Sequence, residues 1–559
     1  MRTGLLTRQS FNAQVRAKIL WRQQVRQTQR VKREESLERI RESPADWDFL
    51  VIGGGATGLG TAVEAAARGY RTVLVEQNDF AKATSSRSTK LIHGGIRYLR
   101  QADFRLVRES LRERARLLHN APHLVAPLSF VVPNYAWWER PYYGAGLKLY
   151  DLLAGKFRWH DSERISRDQV LEHVPTLRSA GLRGGIRYFD GQFDDARLAI
   201  CLAQTLADLG GVPVNYFRVE SLLKEKSRVR GAVVRDLETG SVCPIRARIV
   251  VNATGVFTDS IRQMDDPGAT KVIAASQGAH IVLDRSFLPG DSAILIPRTD
   301  DGRVLFAIPW HNRTLVGTTD TAVAEMALEP RPLRAEIEFL LRHAGRYLRR
   351  QPVEPDILSA FAGLRPLVTA TDRKRTARLS RAHTLLVSAA GLVTITGGKW
   401  TTYRQMAEDA INEAERVAGL DARVSPTTDL RLHGWAEDTG ETAHWRTYGS
   451  DGRHLRELVS ENVEWSKPLH PCLPGCAAEV IWATRREMAR TVEDVLVRRT
   501  RALLLDARAS AECAPAVASL MARELHRDER WQKEQVSAFR ALAEGYLPGF
   551  TSTPGQPRR

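Results

Sequence analysis

The spacing of hydrophobic and polar positions predicts a strand–helix–strand unit near the start of the chain. We expect a buried strand at Asp48–Ile52, a helix at Thr57–Gly69 and a second strand at Arg71–Val75. A longer helix is predicted around Phe104–His119. Later hydrophobic runs indicate a second, mostly antiparallel sheet, with strands at Arg248–Val251, His280–Leu283, Ala293–Ile296, Val304–Ile308 and Thr314–Val316.

The C-terminal part of the chain has helical rather than strand periodicity. Residues 421–475 are predicted to be a loop-rich linker and residues 476–548 a separate helical domain, followed by a disordered tail at 549–559. The helices of that domain are expected at Ala477–Ala489, Val492–Leu505, Pro515–Glu524 and Glu529–Glu544. No apolar run approaches the ~18 residues of a bilayer-spanning helix.

The positive charge is concentrated at the N-terminus. The 559 residues include 82 Lys and Arg against 65 Asp and Glu, a formal charge of +17, and residues 1–33 contain nine basic residues and no acidic one. Phe11, Val15 and Ile19 recur every four residues among these cations. Residues 1–45 are therefore predicted to form a basic amphipathic arm that suits an anionic lipid surface. A solvated tail and a mitochondrial presequence are the alternatives.

Composition disfavours several other kinds of site. No nucleic-acid-binding motif accompanies the basic residues, so no nucleic-acid partner is predicted. Five cysteines in so long a chain do not form a disulfide framework, which favours a reducing compartment. Cys472 and Cys476 form a lone C-x3-C pair without the second pair that a zinc site needs, so no metal is predicted.

The strongest local signal is a glycine-rich turn between the first predicted strand and helix. Gly53, Gly55 and Gly58 have the G-x-G-x-x-G spacing, and Glu76 ends the second predicted strand. In a dinucleotide site the first glycine permits the tight turn, the second admits the pyrophosphate, and the third allows the helix to pack closely on the strand. Glu76 can accept hydrogen bonds from the adenosine ribose and would repel a 2′-phosphate. Because no second fingerprint follows, we interpret this as a site for one bound FAD.

A longer motif, Ala83–Leu99, is more specific than the glycine turn. Together, the two motifs resemble the FAD-dependent glycerol-3-phosphate dehydrogenases, which belong to the glutathione-reductase-like, D-amino-acid-oxidase type of flavoproteins. The resemblance spans about residues 46–545. Further matching segments are Asp194–Leu198, Asn252–Gly255, Gly278–Val282, Gly317–Asp320, Gly363–Leu367, Thr396–Arg404 and Glu487–Asp494.

The resemblance implies an α/β fold in which an FAD-binding Rossmann-like domain covers residues 46–420. A mostly antiparallel β substrate domain at roughly 265–375 is interleaved with it, and the α-helical domain follows. Gly94 is expected to let the backbone approach the isoalloxazine, and Thr401 to open a helix whose N-terminus stabilises the reduced flavin. Besides the fingerprint, the residues expected along FAD are Thr84, Ser85, Ser86, His93, Gly94, Asn252, Gly255, Gly397, Gly398 and Thr401.

The resemblance also implies a cationic pocket for a small organophosphate. The residues expected to line it are Arg97, Tyr98, His280, Arg365, Arg381 and Lys399. Arg can bind a phosphate bidentately, whereas Lys acts as a point charge. His280 is the candidate general base or orienting group, because a neutral histidine is available at working pH. Whether His280, Arg365 or a water removes the hydroxyl proton is left open.

The predicted function is oxidation of sn-glycerol 3-phosphate to dihydroxyacetone phosphate, by hydride transfer from C2 to N5 of FAD, with electrons passed to a membrane quinone. The implied partners are this substrate, the quinone and an anionic lipid surface; a homodimer is left open. One alternative is a flavin oxidase or dehydrogenase of another small anionic substrate, such as a 2-hydroxy acid or amino acid. Another is a non-catalytic flavin-bound scaffold. The arginine-rich composition favours a bacterial protein on the inner face of the cytoplasmic membrane.

Overall fold

Every strand of the described residues lies before residue 400, and the described residues beyond it are helical or irregular. The computed structural model describes residues 32–43, 45–96, 99, 103–368, 383–441 and 444–549. Residues 1–31 of the predicted arm and residues 550–559 of the predicted tail lie outside this set. Within the described ranges, no helix combines the length and the apolar character that crossing a membrane requires.

The strands belong to two sheets. In chain order they are β1 (Trp47–Ile52), β2 (Thr72–Val75), β3 (Leu91–Ile92), β4 (Val125–Asn134), β5 (Glu163–Ile165), β6 (Gly184–Phe193), β7 (Val212–Val214), β8 (Phe217–Glu225), β9 (Arg228–Asp236), β10 (Val242–Asn252), β11 (Ile273–Asp284), β12 (Ser292–Ile296), β13 (Leu305–Trp310), β14 (Arg313–Gly317), β15 (Thr321–Ala322), β16 (Ile357–Val368), β17 (His383–Val387) and β18 (Val393–Gly397).

The helices cover the sheets and build the C-terminal domain. In chain order they are α1 (Arg33–Arg41), α2 (Ala56–Ala67), α3 (Phe104–Asn120), α4 (Glu139–Ala154), α5 (Arg167–His173), α6 (Asp195–Asp208), α7 (Thr258–Asp265), α8 (Arg334–Tyr347), α9 (Tyr403–Ala418), α10 (Gly452–Glu461), α11 (Ala477–Arg486), α12 (Ala502–Leu505), α13 (Ala507–Leu525) and α14 (Glu529–Glu544). The predicted linker at 421–475 therefore contains one regular helix, α10.

The first sheet contains the strand–helix–strand unit that the start of the sequence predicts. Its strand order is β17-β18-β10-β1-β2-β7, and β18, β10, β1, β2 and β7 are parallel. β1 is buried along nearly its whole length, as a central strand covered on both faces must be. The carboxyl ends of β1, β2, β10 and β18 meet at one edge, which is where open α/β sheets bind ligands.

The second sheet is mostly antiparallel, as predicted, but the predicted strand at Arg248–Val251 belongs to β10 of the first, parallel sheet. A short hydrophobic run does not show which strand it will pair with. The order of the second sheet is β15-β11-β14-β13-β12-β4-β6-β3, with β16 beside β11 and β5 beside β6. Among its described strand pairs, β12 with β4 is parallel and the others are antiparallel. β11 pairs with β14 and β16, and its residues from Ala275 to Leu283 are buried. A side chain on β11 is therefore held from two sides.

The C-terminal helices differ from the predicted ones where tertiary contacts set the backbone. The pattern predicts one helix over Val492–Leu505, but a π-helical turn at Asp494–Arg499 is followed by α12, with Arg501 left-handed between them at φ +59°. The Arg501 side chain forms an ion pair with Asp194 of the parallel-sheet domain at 2.8 Å. That distant contact accounts for a break that local propensity does not show.

The start of α13 is set by a cap. The carboxylate of Asp506 accepts a hydrogen bond from the Ala509 backbone N–H, so the helix begins at Ala507 rather than at the predicted Pro515. Pro515 consequently lies inside the helix.

Buried ion pairs join the C-terminal helices to the parallel-sheet domain. Asp79 accepts hydrogen bonds from Arg498 Nε at 2.5 Å and from Arg499 Nη1 at 2.7 Å. A buried charge is costly unless it is paired, so these contacts hold the two parts together in one arrangement. We call the following residues the interface network: Asp79, Asp194, Arg197, Glu487, Arg498, Arg499 and Arg501.

Candidate active site

A cavity of about 560 Å³ lies between the carboxyl edge of the parallel sheet and the antiparallel sheet. Phe130, Tyr188 and Phe306 of the antiparallel sheet contribute apolar wall, and polar and charged groups are set among them. This volume and this mixture are typical of small-molecule and cofactor sites. Of the residues predicted to contact the cofactor, those that line the cavity are Gly53, Gly55, Glu76, Thr84, Ser85, His93, Gly255, Gly397, Gly398 and Thr401.

The turn after β1 has the geometry that its glycines permit. Gly53 has φ +112°, and a Cβ there would lie 2.7 Å from the carbonyl oxygen of Ala253. A Cβ at Gly58 would lie 1.9 Å from the carbonyl oxygen of Gly53, so only glycine lets α2 begin this close to the strand. Gly58 supports the turn from behind and does not line the cavity, in agreement with the close helix–strand packing expected of the third glycine.

Glu76 stands at the end of β2, in the cavity wall. Its carboxylate accepts hydrogen bonds from the Gly54 N–H at 2.6 Å and the Asn78 N–H at 2.9 Å. Burial raises the pKa of Glu76, and these two N–H groups oppose that effect. The carboxylate is thus fixed beside the glycine turn, where it can accept hydrogen bonds from ribose hydroxyls.

The segment after β2 closes over the glycine turn. Ser85 Oγ accepts a hydrogen bond from the Ala56 N–H at 2.9 Å, at the first residue of α2. The Trp400 indole N–H donates to the Ser85 carbonyl oxygen at 2.9 Å, which ties the segment after β18 to the same place. Thr84 Oγ1 donates to the Leu364 carbonyl oxygen at 2.6 Å. The parts of the predicted cofactor site are therefore bonded to one another as well as being adjacent.

Three other predicted cofactor residues lie behind the cavity wall. Ser86 is fully buried, and its carbonyl oxygen accepts a hydrogen bond from Lys90 Nζ at 2.7 Å. Asn252 is buried in the turn after β10, where its side-chain oxygen accepts a hydrogen bond from Thr254 Oγ1 at 2.7 Å. Both shape the backbone and do not line the cavity, and their contact with the cofactor stays a prediction.

Gly94 is the third of these residues, and packing gives a reason for its missing side chain that the sequence does not show. A Cβ there would lie 2.4 Å from the Tyr150 hydroxyl and 2.7 Å from the Leu111 side chain. The glycine is therefore required by packing against α3 and α4. The neighbouring His93 does line the cavity.

Cationic side chains form one part of the wall. Arg365 Nη2 donates to Thr318 Oγ1 and to the Thr319 carbonyl oxygen, each at 3.0 Å, and its Nη1 lies 3.4 Å from Asp320. Lys399 Nζ donates to Ser110 Oγ at 2.9 Å. The structure thus places Arg365, Lys399 and His280, which are far apart in sequence, around one cavity. Arg97, Tyr98 and Arg381 lie outside the described residues.

Arg303 is a cavity residue that sequence reasoning missed. Its Nη1 donates to the Asp320 carbonyl oxygen at 2.7 Å, and the carboxylate of Asp320 lies 3.5 Å away. Asp320 therefore contacts both Arg303 and Arg365 and holds the two cations in place. The loop before β13 carries no motif, so nothing in the sequence set Arg303 apart from the other arginines.

His280 is buried in β11 and contacts a second cavity residue that sequence reasoning missed. Its Nε2 lies 2.9 Å from Thr89 Oγ1, and both residues line the cavity. Burial lowers the pKa of His280 well below its usual value, and the charges of Lys90 and Arg365 lower it further. The imidazole is therefore neutral at working pH. Thr89 belongs to the longer motif, but its contact with a residue 191 positions away is visible only in the fold.

A dinucleotide turn with a fixed acidic group beside it shares one cavity with a cationic wall, which indicates a dinucleotide-dependent oxidoreductase. The residues present fit FAD, since the glycines leave the turn open and Glu76 stands where the ribose of a bound dinucleotide lies. Residues 48–404 match the family model described as FAD dependent oxidoreductase. Residues 392–534 match the model for the C-terminal domain of alpha-glycerophosphate oxidase.

Relatives define the family more narrowly. The mitochondrial glycerol-3-phosphate dehydrogenase of Rattus norvegicus is 42% identical over 551 residues, which cover 92% of this chain and 75% of the relative. The mitochondrial enzyme SDP6 of Arabidopsis thaliana is 38% identical, with 89% and 86% covered. The FAD complex of the Bacillus halodurans glycerol-3-phosphate dehydrogenase superimposes with a TM-score of 0.76 at 29% identity, covering 94% of this chain and 99% of that one.

The chain belongs to the family of FAD-dependent glycerol-3-phosphate dehydrogenases. The resemblance and the fold class predicted from the sequence motifs are thereby confirmed, and FAD is the cofactor of the family.

Proposed function

We propose that this chain oxidises sn-glycerol 3-phosphate to dihydroxyacetone phosphate and passes the electrons through FAD to a membrane quinone. The observation that carries the proposal is the single cavity in which a dinucleotide turn faces a wall containing Arg303, Arg365 and Lys399. The names of the relatives give the same substrate. Bound FAD supplies the acceptor for the hydride that leaves C2, and the protein binds and orients the alcohol.

The cationic wall suits a phosphate ester. A guanidinium can bind two phosphate oxygens at once, and an ammonium adds a compact point charge. Thr318 and Asp320 orient Arg365, and Ser110 orients Lys399, so the cationic groups are held in place before substrate arrives. Such preorganisation lowers the entropic cost of binding. Arg97, Tyr98 and Arg381 remain proposed substrate contacts.

Anaerobic titration of the purified holoenzyme with sn-glycerol 3-phosphate tests the substrate assignment. The flavin absorbance should bleach with the wild-type protein. In Arg365→Ala and Lys399→Ala the substrate concentration for half-bleaching should rise by about 10- to 100-fold, since each change removes a charge-assisted contact. Arg334→Ala is a matched control, because Arg334 is exposed and pairs only with a helix neighbour, Glu338, among the described residues. Wild-type titration curves for both cavity variants would contradict the assignment.

Steady-state assays test the alternative substrates. A 2-hydroxy acid or amino acid also carries an anionic group that the cationic wall could bind. Steady-state assays with 2-hydroxyglutarate and with sn-glycerol 3-phosphate, using a dye and then oxygen as acceptor, separate a phosphate-ester dehydrogenase from an oxidase of another substrate. Faster turnover of 2-hydroxyglutarate would favour the alternative.

One exposed face supports the membrane part of the proposal. It includes α4 and the residues on either side of it, and we call it the α4 face. Its members are Trp137, Arg140, Tyr142, Lys148, Leu149, Leu152 and Lys156. Trp137 and Leu152 expose 76% and 75% of their surface. Exposed apolar side chains beside basic ones are typical of a surface that binds anionic lipid, which supports a peripheral membrane protein. The arginine-rich composition is the basis for proposing the inner face of a bacterial cytoplasmic membrane.

The buried side of α4 is linked to the cavity wall through Tyr150. The Tyr150 hydroxyl donates to Asp190 at 2.7 Å and accepts from the Gly94 N–H at 2.8 Å. Asp190 lines the cavity, as does His93 next to Gly94. A lipid-dissolved quinone that approaches along the α4 face would therefore arrive beside the cavity.

Cosedimentation of the full chain with vesicles tests the α4 face. We expect wild-type protein to bind phosphatidylglycerol vesicles more tightly than phosphatidylcholine vesicles. The double variant Trp137→Ser/Leu152→Ser should bind both at least about tenfold more weakly, because two large apolar side chains no longer leave water. Leu237→Ser, which removes an apolar side chain exposed elsewhere, is the control. Unchanged binding of the double variant would contradict a role for this face.

A further inference from the structure

The imidazole of His280 is fixed on all sides by the antiparallel sheet. In the strand register it stands between Gly317 of β14 and Phe361 of β16. Its ring stacks on the Phe361 ring with centroids 4.9 Å apart and planes inclined by 16°. A Cβ at Gly317 would lie 2.1 Å from His280 Cδ2. The ring can therefore neither swing nor flip without disturbing its neighbours.

The two ring nitrogens have different surroundings. Nε2 lies 2.9 Å from Thr89 Oγ1. Nδ1 is buried and has no hydrogen-bond partner in the part of the chain that the structure describes. A buried N–H without an acceptor is rarer in proteins than an acceptor that lacks a donor. The ring proton therefore belongs on Nε2, and the imidazole donates to the Thr89 hydroxyl oxygen.

Thr89 is left with its own hydroxyl proton to donate. Its oxygen already accepts from His280, so the O–H is directed to another acceptor, and Thr89 lines the cavity together with Arg365 and Lys399. A hydroxyl that both accepts and donates is polarised by the first bond and donates more strongly in the second.

We propose that Thr89 is a catalytic residue whose hydroxyl donates a hydrogen bond to the C2 oxygen of the substrate, and that His280 is the positioning residue that orients it. The inference rests on the proposed function. During turnover the C2–H bond breaks and its electron pair leaves as hydride, the O–H proton passes to water, and a C=O bond forms. Thr89 keeps its proton and stabilises the negative charge that develops on the C2 oxygen. His280 takes up no proton.

The charged groups around His280 agree with this role. Lys90 lies on the Thr89 segment and Arg365 on β16, and both oppose a second positive charge on the imidazole. Their own carboxylate neighbours are Asp195, 2.8 Å from Lys90 Nζ, and Asp320, 3.4 Å from Arg365 Nη1. A histidine in this position can hold a hydrogen bond over the whole working pH range but is a poor proton acceptor.

The first test compares Thr89→Val with Thr89→Ser. Valine keeps the shape and removes the hydroxyl, so kcat/KM for sn-glycerol 3-phosphate should fall by about 10- to 100-fold. Serine restores the hydroxyl and should recover most of the loss. Binding of 3-hydroxypropyl phosphate, which lacks the C2 oxygen, should be equal in the wild type and Thr89→Val when followed by the flavin absorbance change. A weaker affinity of Thr89→Val for this analogue would show a general distortion of the pocket and overturn the proposal.

The second test separates a donor from a base at position 280. His280→Gln places an amide N–H near the position of Nε2, whereas His280→Leu removes the donor. We expect His280→Gln to retain activity within about tenfold of wild type, with the pH dependence of kcat/KM unchanged between pH 6 and 8, and His280→Leu to lose about as much as Thr89→Val. If His280→Gln is as inactive as His280→Leu and an ionisation near neutral pH disappears from its profile, His280 is the base and the proposal fails. If the wild type itself is not bleached by sn-glycerol 3-phosphate, the proposed function fails instead.

Discussion

The interface network and the cationic wall of the cavity use the same kinds of side chain in opposite ways. In the network, Arg498 and Arg499 are fully buried, and both donate to the carboxylate of Asp79 within 2.7 Å. At the cavity, Arg365 donates to a hydroxyl and a carbonyl oxygen, and the nearest carboxylate oxygen of Asp320 lies 3.4 Å away. A buried carboxylate within hydrogen-bonding distance neutralises a cation more fully than one that lies 3.4 Å from a partly exposed guanidinium. The distance and burial of the carboxylate, rather than the cation itself, thus separate structural arginines from binding arginines.

The largest expected effect comes from breaking the network. Asp79→Ala leaves two buried guanidinium groups without their shared carboxylate, so the free energy of unfolding should fall by about 3–5 kcal/mol. Urea unfolding followed by circular dichroism measures this loss. Glu338→Ala breaks an exposed pair with Arg334 and should cost no more than about 1 kcal/mol. If both variants lost equally little free energy of unfolding, burial of the network would not contribute to stability.

Truncation of a cationic side chain at the cavity wall should lower activity and leave the free energy of unfolding nearly unchanged. Arg303→Ala should change the free energy of unfolding by no more than about 1 kcal/mol, because the side chain is partly exposed. It should lower kcat/KM for sn-glycerol 3-phosphate by about 10- to 100-fold, which corresponds to one charge-assisted contact. Arg303→Lys should recover part of the activity. Wild-type kcat/KM in Arg303→Ala would limit Arg303 to supporting Asp320.

Acid should weaken the network. Burial raises the pKa of Asp79, but Arg499 and Arg498 outweigh it and lower the pKa to about 2. The folded protein thus binds this proton more weakly than the unfolded chain, so the stabilisation is full above about pH 4 and is lost as the pH falls towards 2. Across that range the difference in unfolding free energy between wild type and Asp79→Ala should shrink by about 2 kcal/mol. A difference that is constant with pH would contradict the lowered pKa.

The strand–helix–strand start of the parallel sheet could be predicted from sequence because its signals are local, whereas β4, β6 and β16 of the antiparallel sheet were not predicted. The run Asp48–Ile52 and the glycines after it determine a buried strand and a turn whatever lies elsewhere. The break at Arg501 could not be predicted, since it depends on an ion pair with Asp194 that only the folded chain brings together. The start of α13 is a different case, because the capping residue Asp506 is visible in the sequence and outweighs the signal of Pro515.

The candidate site likewise combines contacts that the sequence predicts with contacts that only the fold shows. Gly53 and Glu76 stand on adjacent parallel strands, so their meeting at one edge follows from the strand–helix–strand pattern. Thr89 and His280 are in contact only because the fold brings β11 against the segment after β2. The hydrophobic periodicity of the sequence does not show this contact. Gly94 shows the limit of reasoning from residue type: a glycine next to a cofactor segment can be required by a tyrosine on another helix.

The length of chain between Asp79 and Arg499 has a consequence for biosynthesis. These partners are 420 positions apart, so the first domain leaves the ribosome long before Arg499 is synthesised. Until then Asp79 and Asp194 lack their arginine partners and keep contacts such as those with Asn215 and His311. A protein truncated before residue 487 should therefore be less stable to urea than the full chain, because these buried carboxylates are less well paired.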